Sequence, residues 1–173
     1  HYQGLLEVVQ AMPVGCLGIP ASLADDQQYQ ALQEMAVQKN IPVWALYDGQ
    51  SIHLEEGFEI DILHPDRRIN SADANHESVV IMLSYRGFSA LLTGDAGCLE
   101  LVSACAAVQG PVTVVKIPHH GSKGSLAKEL YQQIDARLAV ISVGADNHFG
   151  HPSAVVLSAL EEAGIRVLRT DQD

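Results

Sequence analysis

Three apolar, β-branched segments in the second half of the chain stop at a glycine or a proline, and each is followed by a helical pattern. The segments read SALLTGD, VTVVKIPHHG and LAVISVG. Such runs are typical of buried strands, and charged or imidazole side chains directly follow two of them. Asp95, His119 and His120 are therefore predicted at strand ends, where the binding sites of sheet proteins usually lie. A carboxylate and an imidazole on two strand ends predict a metal site.

The first half of the chain has the pattern of antiparallel strands. Asp48–Gly49 is a strong turn dipeptide, and the segments after it, SIHLEE and FEIDILHP, predict two strands that turn at Gly57. Arg86–Gly87 predicts a hairpin between two further strands, whose long apolar runs indicate burial on both faces. No internal repeat, low-complexity tract or linker divides the chain. Residues 1–173 therefore predict a single domain of the α+β (mixed α/β) class, with a mixed sheet covered by helices.

Apolar spacing and capping residues predict the helices of the second half. The helix after Ala96 is predicted to present one apolar face, formed by Leu99, Val102, Cys105 and Ala106. Ser125 is predicted to cap the helix LAKELYQQI, and Ser153 the last helix, which ends at Gly164.

The composition limits what the chain can bind. Of its 173 residues, 47% are hydrophobic and 18% are charged, and the net charge is −11. This charge argues against a surface that holds nucleic acid by phosphate neutralisation alone, because that mode needs clustered Lys and Arg. Cys16, Cys98 and Cys105 lack the CxxC spacing of a thiolate zinc site and are predicted to be small, buried apolar residues. No apolar run reaches the length of a membrane span.

Histidines carry most of the information about chemistry. Four of the eight fall in two loops that follow apolar strands, namely His119, His120, His148 and His151. His120 and Asp95 are the predicted metal-ligating pair, and the alternative is a helix-capping carboxylate with a histidine bonded to the backbone. His119 is the weaker candidate ligand, because adjacent residues on an extended backbone point opposite ways. His151 precedes a helix N-terminus, which suits contact with an anion or a metal.

Two further polar segments are candidates for substrate contact. In the loop GSKG, a phosphate could be held by backbone N–H groups, the Ser122 hydroxyl and the Lys123 ammonium, and the alternative is a plain turn. Asn75 and Ser78 bracket the start of a central strand and could place polar groups at its mouth.

Several of these segments, in this order, resemble a known family. The segments VVKIPHHGSKGS, LLTGDA, ISVGADNHFGHPS and RVLRTDQD are similar to the metallo-β-lactamase-like domain of ComEC-type competence proteins, and the resemblance covers essentially the whole chain. That family implies a four-layer αββα sandwich with a site for one or two metal ions, zinc or manganese, at the edge shared by two sheets. Its ligands come from a His-x-His-x-Asp-His segment, a strand-end Asp and a later His.

The resemblance assigns the metal ligands residue by residue. Asp95 matches the strand-end Asp that bridges two metals in many relatives, and His120 matches the later His. His1 matches the last residue of the ligand-rich segment, whose other residues lie outside this chain. The chain is therefore expected to be truncated at the N-terminus and also at the C-terminus, and to bind metal weakly or not at all. One sheet would be incomplete, and domain swapping, a dimer or other partner contact, or disorder could cover its exposed edge.

The resemblance also implies a function. It predicts metal-dependent phosphodiester hydrolysis of DNA, with Asp95, His120 and His151 as catalytic residues and Ser122, Lys123, Asn75 and Ser78 as substrate contacts. The partners would be DNA and the membrane-channel portion of the same polypeptide, and the domain would lie on the periplasmic side of a bacterial inner membrane. The alternatives are a metallohydrolase of the same fold that acts on a small phosphodiester or lipid headgroup, a non-catalytic DNA-guiding domain, a degenerate structural domain, and a stand-alone enzyme.

Overall fold

The computed structural model describes residues 3–21, 27–67, 74–106, 108 and 110–172. Within them, strands follow one another in the middle of the chain and alternate with helices towards both ends. The helices are α1 (Gln3–Ala11), α2 (Gln27–Gln38), α3 (Cys98–Ala104), α4 (Lys128–Ile134) and α5 (Ala154–Glu162). The strands are β1 (Leu17–Pro20), β2 (Val43–Leu46), β3 (Ser51–Glu55), β4 (Phe58–His64), β5 (Val80–Tyr85), β6 (Phe88–Leu92), β7 (Val114–Lys116), β8 (Leu138–Ile141) and β9 (Arg166–Arg169). Short 3-10 turns cover Ala74–Glu77, Pro118–Gly121 and Lys123–Ser125.

Strands β3 to β9 form a seven-stranded mixed sheet in which spatial order follows chain order. Neighbours from β3 to β6 are antiparallel, and neighbours from β6 to β9 are parallel. The predicted hairpin between β5 and β6 is confirmed: Arg86 and Gly87 have φ values of 45° and 85°, the left-handed pair that a two-residue hairpin turn of this kind requires. Because β6, β7 and β8 run in the same direction, their C-terminal ends lie at one edge of the sheet, beside the segments that carry Asp95 and His120.

Helices α3, α4 and α5 cover one face of this sheet. The sheet contributes buried side chains at every second position, namely Val115 of β7, Ile117 directly after β7, and Ala139 and Ile141 of β8. The helices contribute Leu101, Leu130, Tyr131, Ile134, Ala159 and Leu160 to the same core. This core fixes the strands whose ends carry the candidate site.

The opposite face of the sheet is less buried than the sequence predicts. Phe88 and Leu92 of β6 are 44% and 37% exposed, and Val114, Lys116 and Val140 are half-buried. The prediction that the β5–β6 strands are buried on both faces is therefore wrong within the described residues. An apolar strand sequence does not show whether both faces of the strand are covered, because apolar side chains also occur on faces that are only partly buried.

A second, smaller unit stands beside the large sheet. β1 and β2 pair in parallel, and α1 and α2 pack on them around a separate core of Val9, Leu17, Ile19, Leu32, Ala36 and Ile41. The predicted α+β class with a large mixed sheet is confirmed, and the single-domain assignment of residues 1–173 stays a prediction. No helix within the described ranges is both long and apolar enough to cross a membrane.

The buried face of α3 differs from the predicted one. Leu101 and Cys105 are buried, whereas Leu99 is 80% exposed and Val102 is 49% exposed. Leu99 lies two residues before Leu101, and successive helical residues are rotated by ~100°, so the two side chains point to nearly opposite sides. The predicted residues and the observed buried residues both have helical spacing. Only packing against the sheet determines which of the two faces is buried.

Two capping predictions and one cysteine prediction also need correction. Ser125 is buried and lies before α4, whose N-cap position is Ala127 with no capping side chain, so Ser125 does not cap this helix. Ser153 does occupy the N-cap position of α5, but its side chain makes no capping hydrogen bond. Cys105 is buried as predicted, and burial raises the pKa of its thiol to about 11, whereas Cys16 is exposed.

A pair of substitutions in α3 tests which face of this helix is buried. We expect Leu101→Ala to lower the free energy of unfolding by about 2–5 kcal/mol, because it removes a fully buried side chain from the core. Leu99→Ala is the matched control and should change it by less than ~0.5 kcal/mol. Urea unfolding of both variants gives the two values. Equal losses would contradict the observed face.

Candidate functional site

The Asp95 turn is held by hydrogen bonds to β7 and to Ser78, which lies just before β5. The buried Thr93 hydroxyl donates to the Lys116 carbonyl at 2.7 Å, and the Asp95 N–H donates to the Ser78 hydroxyl oxygen at 3.1 Å. Gly94 has a left-handed φ of 55°, and a Cβ there would lie 2.9 Å from the Ser78 Cβ. These contacts fix the backbone that carries the Asp95 carboxylate, whose side chain is 12% exposed.

The histidine pair lies on a left-handed turn, not on an extended backbone. His119, His120 and Gly121 have φ values of 45°, 56° and 79°. The prediction that the two side chains point opposite ways from a strand therefore used the wrong backbone geometry. A non-glycine residue in this region is disfavoured by about 1–2 kcal/mol, so the surrounding contacts must impose the turn.

Backbone hydrogen bonds around the pair impose this turn. The His119 N–H donates to the Gly94 carbonyl at 3.2 Å, and the Ser122 N–H donates to the His119 carbonyl at 2.9 Å. The Ser153 N–H donates to the Gly121 carbonyl at 2.9 Å. The turn is thus bonded to the Asp95 loop on one side and to the start of α5 on the other.

The His120 ring is oriented by a backbone carbonyl. Its Nδ1 lies 2.6 Å from the Ser142 carbonyl oxygen, which can only accept, so Nδ1 carries the proton and donates. In the neutral ring Nε2 then has the lone pair, and this atom lies 3.8 Å from Asp95 Oδ2. A ring held in this way by its second nitrogen is typical of histidines that bind metals.

Lys116 is a half-buried cation beside Asp95 that the sequence analysis did not select. Its ammonium donates to the Gly94 carbonyl at 2.8 Å and to the Ile117 carbonyl at 3.3 Å, and it lies 4.0 Å from Asp95 Oδ1. Burial lowers the pKa of Lys116, and the Asp95 carboxylate opposes that shift. The sequence feature that could have identified Lys116 is its position inside the apolar, β-branched run VTVVKIP, because a charge in a buried strand needs a polar partner.

A carboxylate oxygen and an imidazole nitrogen are donor types that bind divalent ions. Asp95 Oδ2 and His120 Nε2 lie 3.8 Å apart, so these two residues could hold part of a metal site. Across the described residues, no group of three or more His, Cys, Asp or Glu side chains could hold a metal ion. The described residues therefore offer at most two donors for a metal here, and the ligand roles of Asp95 and His120 stay predictions. His1 lies outside the described residues, and its ligand role and that of His119 stay predictions.

His151 lies close to the histidine pair and is held by its own loop. The His119 and His151 rings have centroids 6.0 Å apart, and the Phe149 ring stacks on His151 at 5.9 Å. The Asn147 side chain donates to the His151 carbonyl at 2.8 Å and accepts from the His151 N–H at 2.9 Å. Burial, followed by the neighbouring His119 and His120, lowers the pKa of His151 and favours its neutral form. Asn147 and Phe149 were not selected from the sequence.

The Ser122–Lys123 loop uses much of its hydrogen-bonding capacity internally. The Gly124 N–H donates to the Ser122 hydroxyl oxygen at 3.3 Å, and the Ser125 N–H donates to the Ser122 carbonyl at 3.1 Å. The N–H groups of Ser122, Gly124 and Ser125 thus already have acceptors within this turn. The Ser122 hydroxyl and the exposed Lys123 side chain stay candidates for a phosphate contact.

Asn75 and Ser78 lie at the same cleft as the candidate ligands. This cleft has a volume of about 700 Å³ and is lined by Asn75, Ser78, Asp95, Lys116, His120 and Ser142 on the side of the large sheet. Leu5, Ile19, Pro20 and Tyr29 of the smaller unit line the other side. The structure thus places Asn75, Ser78, Asp95 and His120 on one wall, where a substrate could reach them.

Comparisons with solved structures support the fold. A Parabacteroides distasonis protein assigned as a metal-dependent hydrolase aligns over 95% of this chain and 80% of its own, with a TM-score of 0.56 and 12% sequence identity. A mutant of the CmlA β-hydroxylase aligns over 90% of this chain and 38% of its own, with a TM-score of 0.58 and 16% identity. At these identities the likeness establishes the fold alone. No protein-family model matches the chain.

Sequence comparisons give the family. ComE operon protein 3 of Bacillus subtilis is 31% identical over 160 residues, or 91% of this chain, and competence protein ComA of Neisseria gonorrhoeae is 30% identical over 145 residues, or 76% of it. Recombination protein 2 of Haemophilus influenzae is 32% identical over 105 residues, or 61% of the chain. The chain is a ComEC-type metallo-β-lactamase-like domain. It spans 20%, 21% and 13% of these three proteins, so the ComEC-type resemblance is confirmed for a segment of much longer relatives.

A glycine substitution tests the close packing of the left-handed turn that carries the histidine pair. At Gly121, with φ of 79°, an added Cβ would lie 2.6 Å from the Pro152 Cβ, so we expect Gly121→Ala to lower the free energy of unfolding by more than about 2 kcal/mol. Gly124→Ala is the control, because its Cβ would meet nothing closer than the Ser122 hydroxyl oxygen at 3.7 Å. Thermal or urea unfolding measures both. A Gly121→Ala variant as stable as the control would refute the close packing of this turn.

Proposed function

We propose that the intact domain hydrolyses phosphodiester bonds of DNA, with Asp95 and His120 as ligands of one or two divalent metal ions. The main support for this proposal is that Asp95 Oδ2 and His120 Nε2 face each other at 3.8 Å. The other ring nitrogen of His120 donates to a backbone carbonyl, which fixes the ring. The fold shared with a protein assigned as a metal-dependent hydrolase supports the hydrolytic part. The names of the relatives, two of which are competence or recombination proteins, support DNA as the substrate.

The chain's own residues have separate tasks in this proposal. Asp95 and His120 hold the metal, zinc or manganese, because carboxylate and imidazole ligands suit both. When bound, the metal supplies Lewis-acid stabilisation of the phosphoryl group and a water of lowered pKa. Lys116 holds the Asp95 turn in place, because its ammonium donates to the Gly94 carbonyl and lies 4.0 Å from Asp95 Oδ1.

Substrate contacts come from the residues around the metal ligands. Neutral His151 donates a ring N–H to a phosphate oxygen, and the Ser122 hydroxyl and the Lys123 ammonium contact the same or the next phosphate. Asn75 and Ser78 contact the strand where it enters the cleft that they line. Because the net charge is −11, these few donors and the metal must together offset the repulsion of the phosphates.

The ligand set is completed in this proposal by residues beyond the described pair. Catalytic metals normally have three or more protein ligands, and His1, with residues that precede it in a longer polypeptide, would supply the others. The chain as given would then bind metal weakly. The much greater length of the curated relatives supports a longer parent protein.

The ComEC-type resemblance implies a membrane context, which is part of the proposal. The domain would lie on the periplasmic side of a bacterial inner membrane and pass DNA to the channel portion of the same polypeptide. Its smaller sheet offers a contact surface, because Val43 and Trp44 of β2 are 38% and 45% exposed. A dimer or a swapped strand would cover this edge.

One observation favours a second candidate, a metallohydrolase that acts on a small phosphodiester or lipid headgroup. The net charge of −11 repels a polyanion more than it repels a ligand with a single phosphate. The two candidates share the same metal ligands and differ in substrate size.

Metal binding and hydrolysis test the proposal together. We expect Asp95→Asn and His120→Ala each to weaken Mn²⁺ or Zn²⁺ binding by at least about tenfold, as measured by isothermal titration calorimetry, because each removes a donor atom. His53→Ala is the matched control, since His53 is 70% exposed on the edge strand β3. A form of the protein that begins before His1 should bind metal more tightly and should cleave DNA in a chelator-sensitive reaction.

The outcomes separate the candidate functions. Chelator-resistant cleavage, or full cleavage in both ligand variants, would refute the metal-dependent mechanism. Hydrolysis of small phosphodiesters without cleavage of DNA would favour the second candidate. Metal-independent DNA binding without hydrolysis would indicate a non-catalytic, DNA-guiding domain.

A further inference from the structure

Phe149 displays an aromatic ring to solvent beside the candidate site. The residue is 82% exposed, and its ring lies nearly parallel to the His151 ring, with centroids 5.9 Å apart and an interplanar angle of 16°. Full burial of a phenylalanine side chain would contribute about 1.5–3 kcal/mol, which this residue forgoes. The imidazole supports one side of the ring and leaves the other side accessible.

The loop that carries Phe149 is closed by a side-chain amide. Asn147 makes hydrogen bonds to both the N–H and the carbonyl of His151, and its Nδ2 also donates to the Gly144 carbonyl at 3.0 Å. Gly150, with φ of 69°, turns the backbone between Phe149 and His151. These contacts span the loop from both ends, so the exposed ring is held in position by the loop itself.

A row of rings connects Phe149 to the candidate metal ligands. The centroid of His120 lies 6.2 Å from that of His119, and His119 lies 6.0 Å from His151. His151 in turn stacks on Phe149. A strand bound with one phosphate at Asp95 and His120 could therefore extend along this row and reach Phe149 within a few nucleotides.

The charge of the chain makes a neutral contact valuable. With a net charge of −11, the surface cannot hold a polyanion mainly by ion pairs. Stacking on an aromatic ring contributes about 1–3 kcal/mol per base and does not depend on charge or sequence. Such a contact also needs an unpaired base, because bases inside a duplex are already stacked on each other.

We propose that Phe149 is a stacking platform for an unpaired nucleobase of the substrate strand, with His151 supporting the ring from behind. This inference rests on the proposed function, because it assumes a DNA substrate. It adds a preference for single-stranded DNA that carries bases and little preference for sequence. Phe149 contacts the substrate strand away from the reacting phosphate and is thus a binding residue.

The test compares base-bearing and abasic single strands of equal length. Fluorescence anisotropy of labelled oligodeoxynucleotides is measured with the chain as given, first in chelator and then with added Mn²⁺. We expect Phe149→Leu to weaken binding of the base-bearing strand by about 5- to 150-fold and Phe149→Tyr to bind like the unsubstituted chain. The abasic strand should bind equally weakly to all three. Leu99→Ala, which alters an exposed apolar residue on α3, is the control and should have no effect.

A spectroscopic readout reports the stack directly. Phe149→Trp in a Trp44→Phe background leaves one indole in the chain, and stacking with a base should quench its fluorescence. The abasic strand should leave the fluorescence unchanged.

Several results would overturn the inference. They are equal binding by Phe149→Leu and the unsubstituted chain, equal binding of abasic and base-bearing strands, and no binding of either strand with or without Mn²⁺. A Phe149→Leu variant that loses contact with a protein partner while its DNA binding is unchanged would instead assign the ring to a protein interface. Because stacking is measured in chelator, and should persist in Asp95→Asn, its failure is distinguishable from a failure of metal-dependent hydrolysis.

Discussion

The carbonyl of Gly94 joins the parts of the candidate site. It accepts from the Lys116 ammonium at 2.8 Å and from the His119 N–H at 3.2 Å, so it connects the Asp95 turn to β7 and to the left-handed histidine turn. Without these bonds, nothing in the local sequence would favour φ values of 45° and 56° at His119 and His120. The strained turn directs His120 Nε2 at Asp95. The hydrogen bond from its Nδ1 to the Ser142 carbonyl then fixes the ring plane.

Local sequence signals predicted the elements that depend on local chemistry. Strand ends at glycine or proline placed Asp95 and His120 correctly, and the dipeptide Arg86–Gly87 predicted a hairpin because two consecutive left-handed residues are needed there. The sequence signals failed where the local sequence is compatible with two conformations or two buried faces and tertiary contacts select one of them. The face of α3 is one such case, since Leu99 and Leu101 are equally apolar and only one of them meets the sheet. The extended backbone assumed for His119 is another, because long-range hydrogen bonds impose the turn.

The residues near the candidate site that the sequence analysis missed are there because of tertiary contacts. Lys116 lies beside Asp95 only in the folded chain, since 21 positions separate the two residues in sequence. Phe149 and Asn147 lie in a polar loop, where an aromatic or an amide carries no periodic signal. Their arrangement depends on two side-chain bonds from Asn147 to the His151 backbone. Such contacts become visible only when the loop geometry is known.

The charges at the site explain why two ligands would hold a metal poorly. Asp95 already has a cation on one side, since Lys116 Nζ lies 4.0 Å from its Oδ1. On the other side, His120 Nε2 lies 3.8 Å from its Oδ2. A divalent ion between Asp95 and His120 would share one carboxylate with the Lys116 ammonium and would be repelled by it. This repulsion disappears only when the ammonium loses its proton. Burial lowers the pKa of Lys116 and favours that loss, whereas the Asp95 carboxylate opposes it. Further anionic or imidazole donors are the simplest way to offset this repulsion. The charge balance and the number of ligands therefore both indicate that a metal here would need more protein donors than Asp95 and His120.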